Sequence, residues 1–202
     1  GNFDRITSNY EDLKSILPRI LGNNLPSVLA KLGNVNIAGD VELTQKYINA
    51  DVSMLSQLGY LEGNLAMQNI NNIDNAFYQG NIKLDAFDLG TLLSEKEIGK
   101  ATLDLDVDGK GFTQKLLNTA IKGKIDKFYY NGYNYQNITV DGSMKMPYYK
   151  GYFNSNDPNL KMDFDGTVDL SLKAKNYDFK AQIDYADLHI LNFYKKDSIS
   201  IF

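Results

Sequence analysis

The stretch LKMDFDGTVDLSL (residues 160–172) decides the fold class, because apolar and polar residues alternate along it. A period of two residues is that of a β-strand, and one apolar face with one polar face is typical of an antiparallel sheet with one side in water. The apolar face of this stretch carries Leu160, Met162, Phe164, Val168, Leu170 and Leu172.

The same alternation recurs along the chain after Gly33, where the apolar period changes from about 3.6 to 2. It predicts an all-β protein with a few short helices, built from a curved, mainly antiparallel and repetitive sheet. The clearest further stretches are residues 35–43, 48–54, 61–67, 82–86, 101–107, 138–146 and 179–185.

A short glycine-led repeat runs through these stretches, with the glycine on the apolar side. Glycine inside a strand marks a bend, a bulge or a close approach of another backbone. Repeated on one face, it favours a sheet that curls into an apolar trough, although ordinary bulge glycines of a β-sandwich remain an alternative. The repeats are GDVEL (39–43), GNLAM (63–67), GNIKL (80–84), GKIDK (123–127), GSMKM (142–146) and GTVDL (166–170).

Residues 1–33 form a predicted helical lead-in, and residues 34–202 the repetitive sheet. Apolar residues between Leu13 and Leu21 share one helical face, and a second short helix covers residues 25–32 before Gly33. Within the sheet region, residues 88–94 (DLGTLLS) and 112–121 (FTQKLLNTAI) predict short helical interruptions.

Composition excludes several classes of function. The net charge is −4 with no basic stripe, so the electrostatic footprint of a nucleic-acid-binding protein is missing. The chain has no cysteine and one histidine, His189, which excludes thiolate and multi-histidine metal sites. Asp104, Asp106 and Asp108 resemble half of a calcium loop, but Lys115 stands where its final glutamate belongs, so we expect a hydrated strand face.

The segment NIKLDAFDLGTLLSEKEIGKATLDLDVDGKGF (residues 81–112) resembles the recurring module of TamB and its AsmA-like relatives. That module has a strand, a D-L-G-x-L-L turn, an I/L-G step and a strand that ends in G-x-G. The stretches at residues 17–41 and 131–171 are similar to members of this family from the Bacteroidetes group. The resemblance extends from about Leu17 to Phe193.

The resemblance implies a non-enzymatic, β-taco-like segment of a longer envelope protein, without catalytic residues or a cofactor. Members of the family are anchored in the inner membrane and cross the periplasm of Gram-negative bacteria. They are linked to phospholipid transport toward the outer membrane and, with TamA, to outer-membrane protein assembly. The expected partners are therefore phospholipid acyl chains, a TamA-like outer-membrane barrel, and the inner membrane through an anchor outside this sequence.

The residues expected to contact acyl chains are those on the apolar face. A tail in water costs about 0.8 kcal/mol per methylene, so a continuous apolar lining lowers the barrier to lipid movement. The predicted lining comprises Val41, Leu43, Val52, Met54, Leu65, Met67, Ile82, Leu84, Leu103, Leu105, Val107, Ile138, Val140, Met144, Leu160, Met162, Phe164, Val168 and Leu170.

Other functions fit parts of the sequence. A carbohydrate-binding or ligand-binding β-sandwich of the cell surface would use an aromatic platform, and a β-rich hydrolase would need two carboxylates in one cleft. A spanning outer-membrane protein would need paired aromatic girdles, which the sequence lacks. The candidate platform consists of Tyr129, Tyr130, Tyr133, Tyr135, Tyr148, Tyr149 and Tyr152. We also expect sheet edges to pair with a second copy.

Overall fold

The computed structural model describes residues 2–12, 27–44, 46–111, 116–145, 147–169 and 177–193. Eleven strands form one antiparallel sheet, and each strand pairs with its neighbours in sequence. The sheet is open, because the first and last strands lie at opposite edges of the order. This confirms the predicted all-β, antiparallel and repetitive architecture.

The strands are long, because the alternating stretches are interrupted by few prolines. They are β1 (Asn2–Ser8), β2 (Val35–Leu43), β3 (Tyr47–Ser56), β4 (Gly59–Gln68), β5 (Phe77–Asp88), β6 (Ile98–Lys110), β7 (Asn118–Tyr130), β8 (Tyr133–Lys145), β9 (Tyr148–Asp157), β10 (Leu160–Asp169) and β11 (Tyr177–Ala186). The described helical elements are α1 (Leu89–Leu93), 3-10 segments at Ser27–Leu32 and Ile70–Asn75, and the helical residues 10–12.

The strand ends define two rims of the sheet. The capped rim holds the 3-10 helix at Ser27–Leu32, α1 and the turn at residues 187–193, together with the β3–β4, β7–β8 and β9–β10 connections. The opposite rim holds the β2–β3, β4–β5, β6–β7 and β8–β9 connections. Most of the described segments that fold back over an end of the sheet lie at the capped rim. The two rims therefore differ.

The helical turn predicted at residues 88–94 is confirmed by α1, whose sequence carries its own caps. The Asp88 carboxylate accepts hydrogen bonds from the Thr91 backbone N–H and hydroxyl, both at 2.8 Å, and this lowers the pKa of Asp88. Ser94 ends the helix in a left-handed conformation. Lys31 then donates to the Thr91 and Leu92 carbonyls at 2.9 and 3.0 Å, which attaches the 3-10 helix to α1.

Most of the described apolar core lies near the capped rim, in two clusters. The first contains Leu32 of the 3-10 helix with Val35, Leu58, Leu84 and Phe87. The second contains Leu191 of the C-terminal turn with Tyr135, Ile138 and Val140. The first cluster packs strands β2 to β6 together at their capped-rim ends, and the second does the same for strands β6 to β10.

Two local predictions were wrong and two lie partly outside the described residues. Residues 2–8 form β1 rather than a helical lead-in, because they pair with the edge of β2. In the predicted helix at residues 112–121, Asn118 already begins β7, paired with Lys110 and Lys145 on either side. The stripe from Leu13 to Leu21 lies outside the described residues, whereas Ser27–Leu32 confirms a short helix that ends at Gly33.

Candidate functional site

Strand register arranges the apolar side chains in rows that cross the sheet at right angles to the strands. One row runs through Leu61, Leu84, Leu103, Ile125 and Ile138 on five consecutive strands. Neighbouring members lie in directly opposed pairs, about 4.5 to 5.5 Å apart between Cβ atoms, so the row is continuous. Two residues further along each strand, the next row repeats the arrangement.

The structure places the predicted lining residues together on this face. All of those that the structure describes are buried or half-buried, and none is fully exposed. Leu84, Ile138 and Val140 are buried, with exposed fractions of 8, 4 and 5%. Leu170 lies outside the described residues. The alternation in the sequence therefore placed these residues on one face of the sheet, on which Leu84, Ile138 and Val140 belong to the two core clusters.

Aromatic residues extend the face beyond the residues predicted to line it. Phe153 lies opposite Val140 and Phe164 in the register. Phe164 contacts Tyr149 and Phe179, with ring centroids 6.4 and 5.1 Å apart. Sequence analysis missed β9 because its apolar side alternates bulky aromatic residues with Gly151 and Ser155, which dilutes the hydrophobic signal.

The glycines of the repeat occupy neighbouring positions on this same face. Gly123 lies opposite Leu105 and Val140, and Gly80 lies opposite Leu65 and Val107. Gly142, Gly151 and Gly166 follow one another directly across β8, β9 and β10. In the middle rows of the apolar face, glycines therefore alternate with larger apolar residues, except on β8, β9 and β10, where three glycines lie side by side.

Gly80 shows why a glycine is required at one of these positions. Its φ of +148° lies in a region that residues with a side chain rarely adopt. A Cβ built at Gly80 would overlap the carbonyl oxygen of Asn64 on β4. Gly80 therefore permits this backbone conformation and a close approach of β4 to β5. A β-branched residue at this position would prevent both.

The other face of the sheet is polar and exposed. Asn81 donates hydrogen bonds to Asp104 at 2.8 Å and to Asp106 at 3.0 Å, and Lys122 forms an ion pair with Asp141 at 2.7 Å. A hollow of about 600 Å³ lies among these polar side chains. Asp104, Asp106 and Asp108 are exposed here, as the alternation predicted. Within the described ranges, no group of three or more His, Asp or Glu is placed to hold a metal.

A buried carboxylate at the capped rim has a structural role. Asp157 is fully buried and accepts hydrogen bonds from the Tyr133 hydroxyl at 2.6 Å and from the backbone N–H groups of Gln136 and Asn159 at 2.8 and 2.7 Å. The Asn159 amide in turn donates to the Tyr133 oxygen at 3.0 Å. These bonds tie the β9–β10 turn to β8, so both Asp157 oxygens are engaged within the fold.

Burial also changes the acidity of the tyrosines beside Asp157. Burial raises the pKa of Tyr135 to about 12, and the negative charge of Asp157 adds to the effect. The pKa of Tyr133 is raised first by burial and then by its hydrogen bond to Asp157. The two rings pack edge to face, with centroids 4.8 Å apart.

The tyrosines of the candidate aromatic platform do not share one surface. Tyr133 and Tyr135 pack at the capped rim, and Tyr149 lies half-buried on the apolar face. Tyr148 and Tyr152 alternate with Tyr149 on β9 and are 48 and 39% exposed, on the polar side. A flat aromatic platform made from the whole set is therefore not present.

No helix among the described residues has both the length and the apolar character needed to cross a bilayer. No family model, curated protein or solved structure matches the chain. The resemblance to TamB and its AsmA-like relatives therefore stays a prediction from the sequence.

Proposed function

We propose that this chain is a non-enzymatic segment of an envelope protein that shelters the acyl chains of phospholipids on its apolar face. The observation that carries the proposal is the continuity of this face across the open sheet, from Met54 on β3 to Met162 on β10. A side-chain row joins these positions without a break in strand pairing.

The apolar face is suited to lipid because it lacks charge. The rows through Leu103, Leu105 and Val107 contain no Asp, Glu, Lys or Arg from β3 to β10. An unpaired charge in contact with hydrocarbon costs several kcal/mol, so its absence from these rows is the property an acyl chain requires. Met54, Met67, Met144 and Met162 add side chains that adapt to irregular shapes.

The partial burial of the face supports an external occupant. A sealed protein core buries most of its large apolar side chains, whereas Leu105, Val107 and Met162 are only half-buried. Contiguous apolar surface of this kind marks a site for a lipid, a ligand or another protein. The described strands form a single sheet, so no second described sheet packs across this face.

The dimensions suit one unit of a longer path. Eleven strands at about 4.8 Å spacing give roughly 50 Å along the rows. Lipid would move from row to row in this direction while the tails stay out of water. We place the chain in the periplasm of a Gram-negative bacterium, between an inner-membrane anchor outside this sequence and a TamA-like outer-membrane partner, with an assisting role in outer-membrane protein assembly. The family resemblance supports this placement.

A carbohydrate-binding sandwich is the weaker proposal. It needs two facing sheets and an aromatic platform, whereas the described strands form one sheet and the tyrosines lie on different surfaces.

Neighbouring substitutions on β6 test the function. Leu105→Arg places a charge in the central row, whereas Asp106→Arg places the same group on the polar face. We expect Leu105→Arg to abolish binding of a fluorescent phospholipid and Asp106→Arg to retain it, with circular dichroism showing that both variants keep the sheet. If a folded Leu105→Arg variant binds lipid like the unaltered chain, the proposal is wrong.

A further inference from the structure

The turn at residues 187–193 covers one part of the apolar face. Leu191 of this turn is fully buried and packs with Tyr135, Ile138 and Val140. Ile138 and Val140 belong to the predicted lipid lining, and their exposed fractions are only 4 and 5%, whereas most of that lining is half-buried. A leucine side chain from the turn therefore occupies a part of the face that the sheet elsewhere leaves partly open.

The turn holds its own shape through internal hydrogen bonds. The Leu191 backbone N–H donates to the carbonyl of Asp187 at 3.0 Å. The Asp187 carboxylate accepts hydrogen bonds from the backbone N–H groups of His189 and Ile190 at 3.1 and 3.0 Å. Because these bonds close within the turn, its conformation does not depend on its contact with the sheet.

Hydrogen bonds join the turn to its surroundings at two places in the described part of the chain. Where β11 ends, the Asp187 backbone N–H donates to the carbonyl of Asn159 at 3.0 Å. At the far end of the turn, the Asn192 side-chain amide donates to the Asn131 carbonyl at 3.0 Å, and the Asn131 amide donates to the Asn192 carbonyl at 3.4 Å. Both asparagines are exposed. The first place has the position of a hinge, and the second has the position of a latch.

The 3-10 helix that covers the first cluster is attached more firmly. The Lys31 ammonium group donates to the carbonyls of Thr91 and Leu92, and the Leu32 carbonyl accepts from the Gln57 backbone N–H at 3.1 Å. Hydrogen bonds from a charged group are roughly twice as strong as those between neutral groups. The latch of the C-terminal turn contains only neutral amides and carbonyls, so the two covers differ in how easily they are released.

We propose that the pocket under Leu191 is a subsite for an acyl chain, and that residues 187–193 form a lid that closes it when no lipid is bound. This inference rests on the proposed function and adds the regulation of one part of the same face. The leucine side chain is a branched hydrocarbon, so it stands in for the methylenes of a tail. An acyl chain is longer than this side chain and gains more apolar contact, so it displaces the lid.

The closed lid lowers the apparent affinity for lipid at this subsite. Only the open fraction of the chain binds there, so the apparent affinity changes in proportion to that fraction. Locking the latch should therefore remove binding at the subsite, and weakening the latch should increase it.

A disulfide across the latch tests the first expectation. The 202-residue chain has no cysteine, so Asn131→Cys/Asn192→Cys introduces a single pair. The probe is a phosphatidylcholine with a diazirine within one acyl chain. In the reduced variant it should label the part of β8 that contains Ile138 and Val140, and oxidation should lower this labelling at least about tenfold. Equal labelling of β8 in the oxidised and reduced forms would overturn the lid.

A glycine substitution tests the second expectation without an engineered bond. Asn192 has a φ of +60°, which glycine adopts without strain, so Asn192→Gly removes the amide donor of the latch. Labelling of β8 should rise about fivefold, the equivalent of about 1 kcal/mol for one hydrogen bond. Asn69→Gly is the matched control, because Asn69 has a φ of +59° and donates to the carbonyl of Asn75 at the opposite rim. An equal change in both variants, or none in Asn192→Gly, would overturn the inference.

The pattern of labelling separates this inference from the proposed function. If the probe labels no residue of the apolar face in the unaltered chain or in the reduced variant, the proposed function fails. If it labels Leu105 and Met162 but never β8, even with the latch released, lipid lies on the face and the Leu191 pocket is a permanent part of the core, so the inference alone is wrong.

Discussion

Gly80 lies so close to the carbonyl of Asn64 on the neighbouring strand that a methyl group at its Cα would overlap that oxygen. Gly63, one residue before Asn64, lies on the same face, but a Cβ there would meet Leu61 and Leu65 at 3.8 and 3.9 Å, which is ordinary contact. Two glycines on adjacent strands thus have different structural requirements.

Alanine substitution should distinguish these glycines. Gly80→Ala forces a side chain into a φ of +148° and should lower the free energy of unfolding by about 1 to 3 kcal/mol. Gly63→Ala should change it by less than about 1 kcal/mol, because the site has space and its backbone is not strained. Urea unfolding of the two variants provides the measurement, and equal effects would show that close strand approach at Gly80 is unimportant.

The turn at residues 187–193 should stabilise the capped rim through Leu191. This side chain is fully buried against the second cluster, so Leu191→Ala should cost about 2 to 5 kcal/mol. Ile190 is 45% exposed, and Ile190→Ala should cost no more than about 0.5 kcal/mol. Thermal unfolding of both variants measures the difference, and a small effect of Leu191→Ala would place the turn outside the cooperative core.

The buried tyrosines should make stability fall at alkaline pH. The pKa of Tyr135 is about 12 in the folded chain, against an ordinary value of 10. Between pH 10 and 12, the unfolded chain loses this proton while the folded chain retains it, so the free energy of unfolding decreases as pH rises. Tyr135→Phe should flatten this decrease in urea titrations across the same range. If the free energy of unfolding falls equally steeply with pH in the variant, burial of Tyr135 does not cause the loss of stability.

Local signals in the sequence were sufficient to predict most of the sheet and the helix α1. Alternation with a period of two defines both faces of β6 and β10 without knowledge of their neighbours. Asp88, Thr91 and Ser94 carry the caps of α1 within a single turn, so this helix could be recognised from its own residues.

Features that depend on distant contacts could not be predicted in the same way. Leu191 follows β11 in an irregular turn, and its burial depends on contacts with β8. Asp157 looks like an ordinary turn residue until Tyr133 and Gln136 approach from another hairpin. β1 lies inside the predicted helical lead-in, and it was missed because its partner strand, β2, begins only at Val35.

The central claim is that lipid tails lie on the apolar face and not on the polar face. A photo-crosslinking amino acid placed at Leu105 or Met162 should form phospholipid adducts, whereas the same group at Asp106 or Asp163 should form none, because these neighbours point to opposite sides of the sheet. Mass spectrometry of the chain incubated with phospholipid gives the comparison directly. Adducts at Leu105 and Met162 alone are expected, and equal labelling of the two faces, or no labelling at either apolar position, would contradict the account.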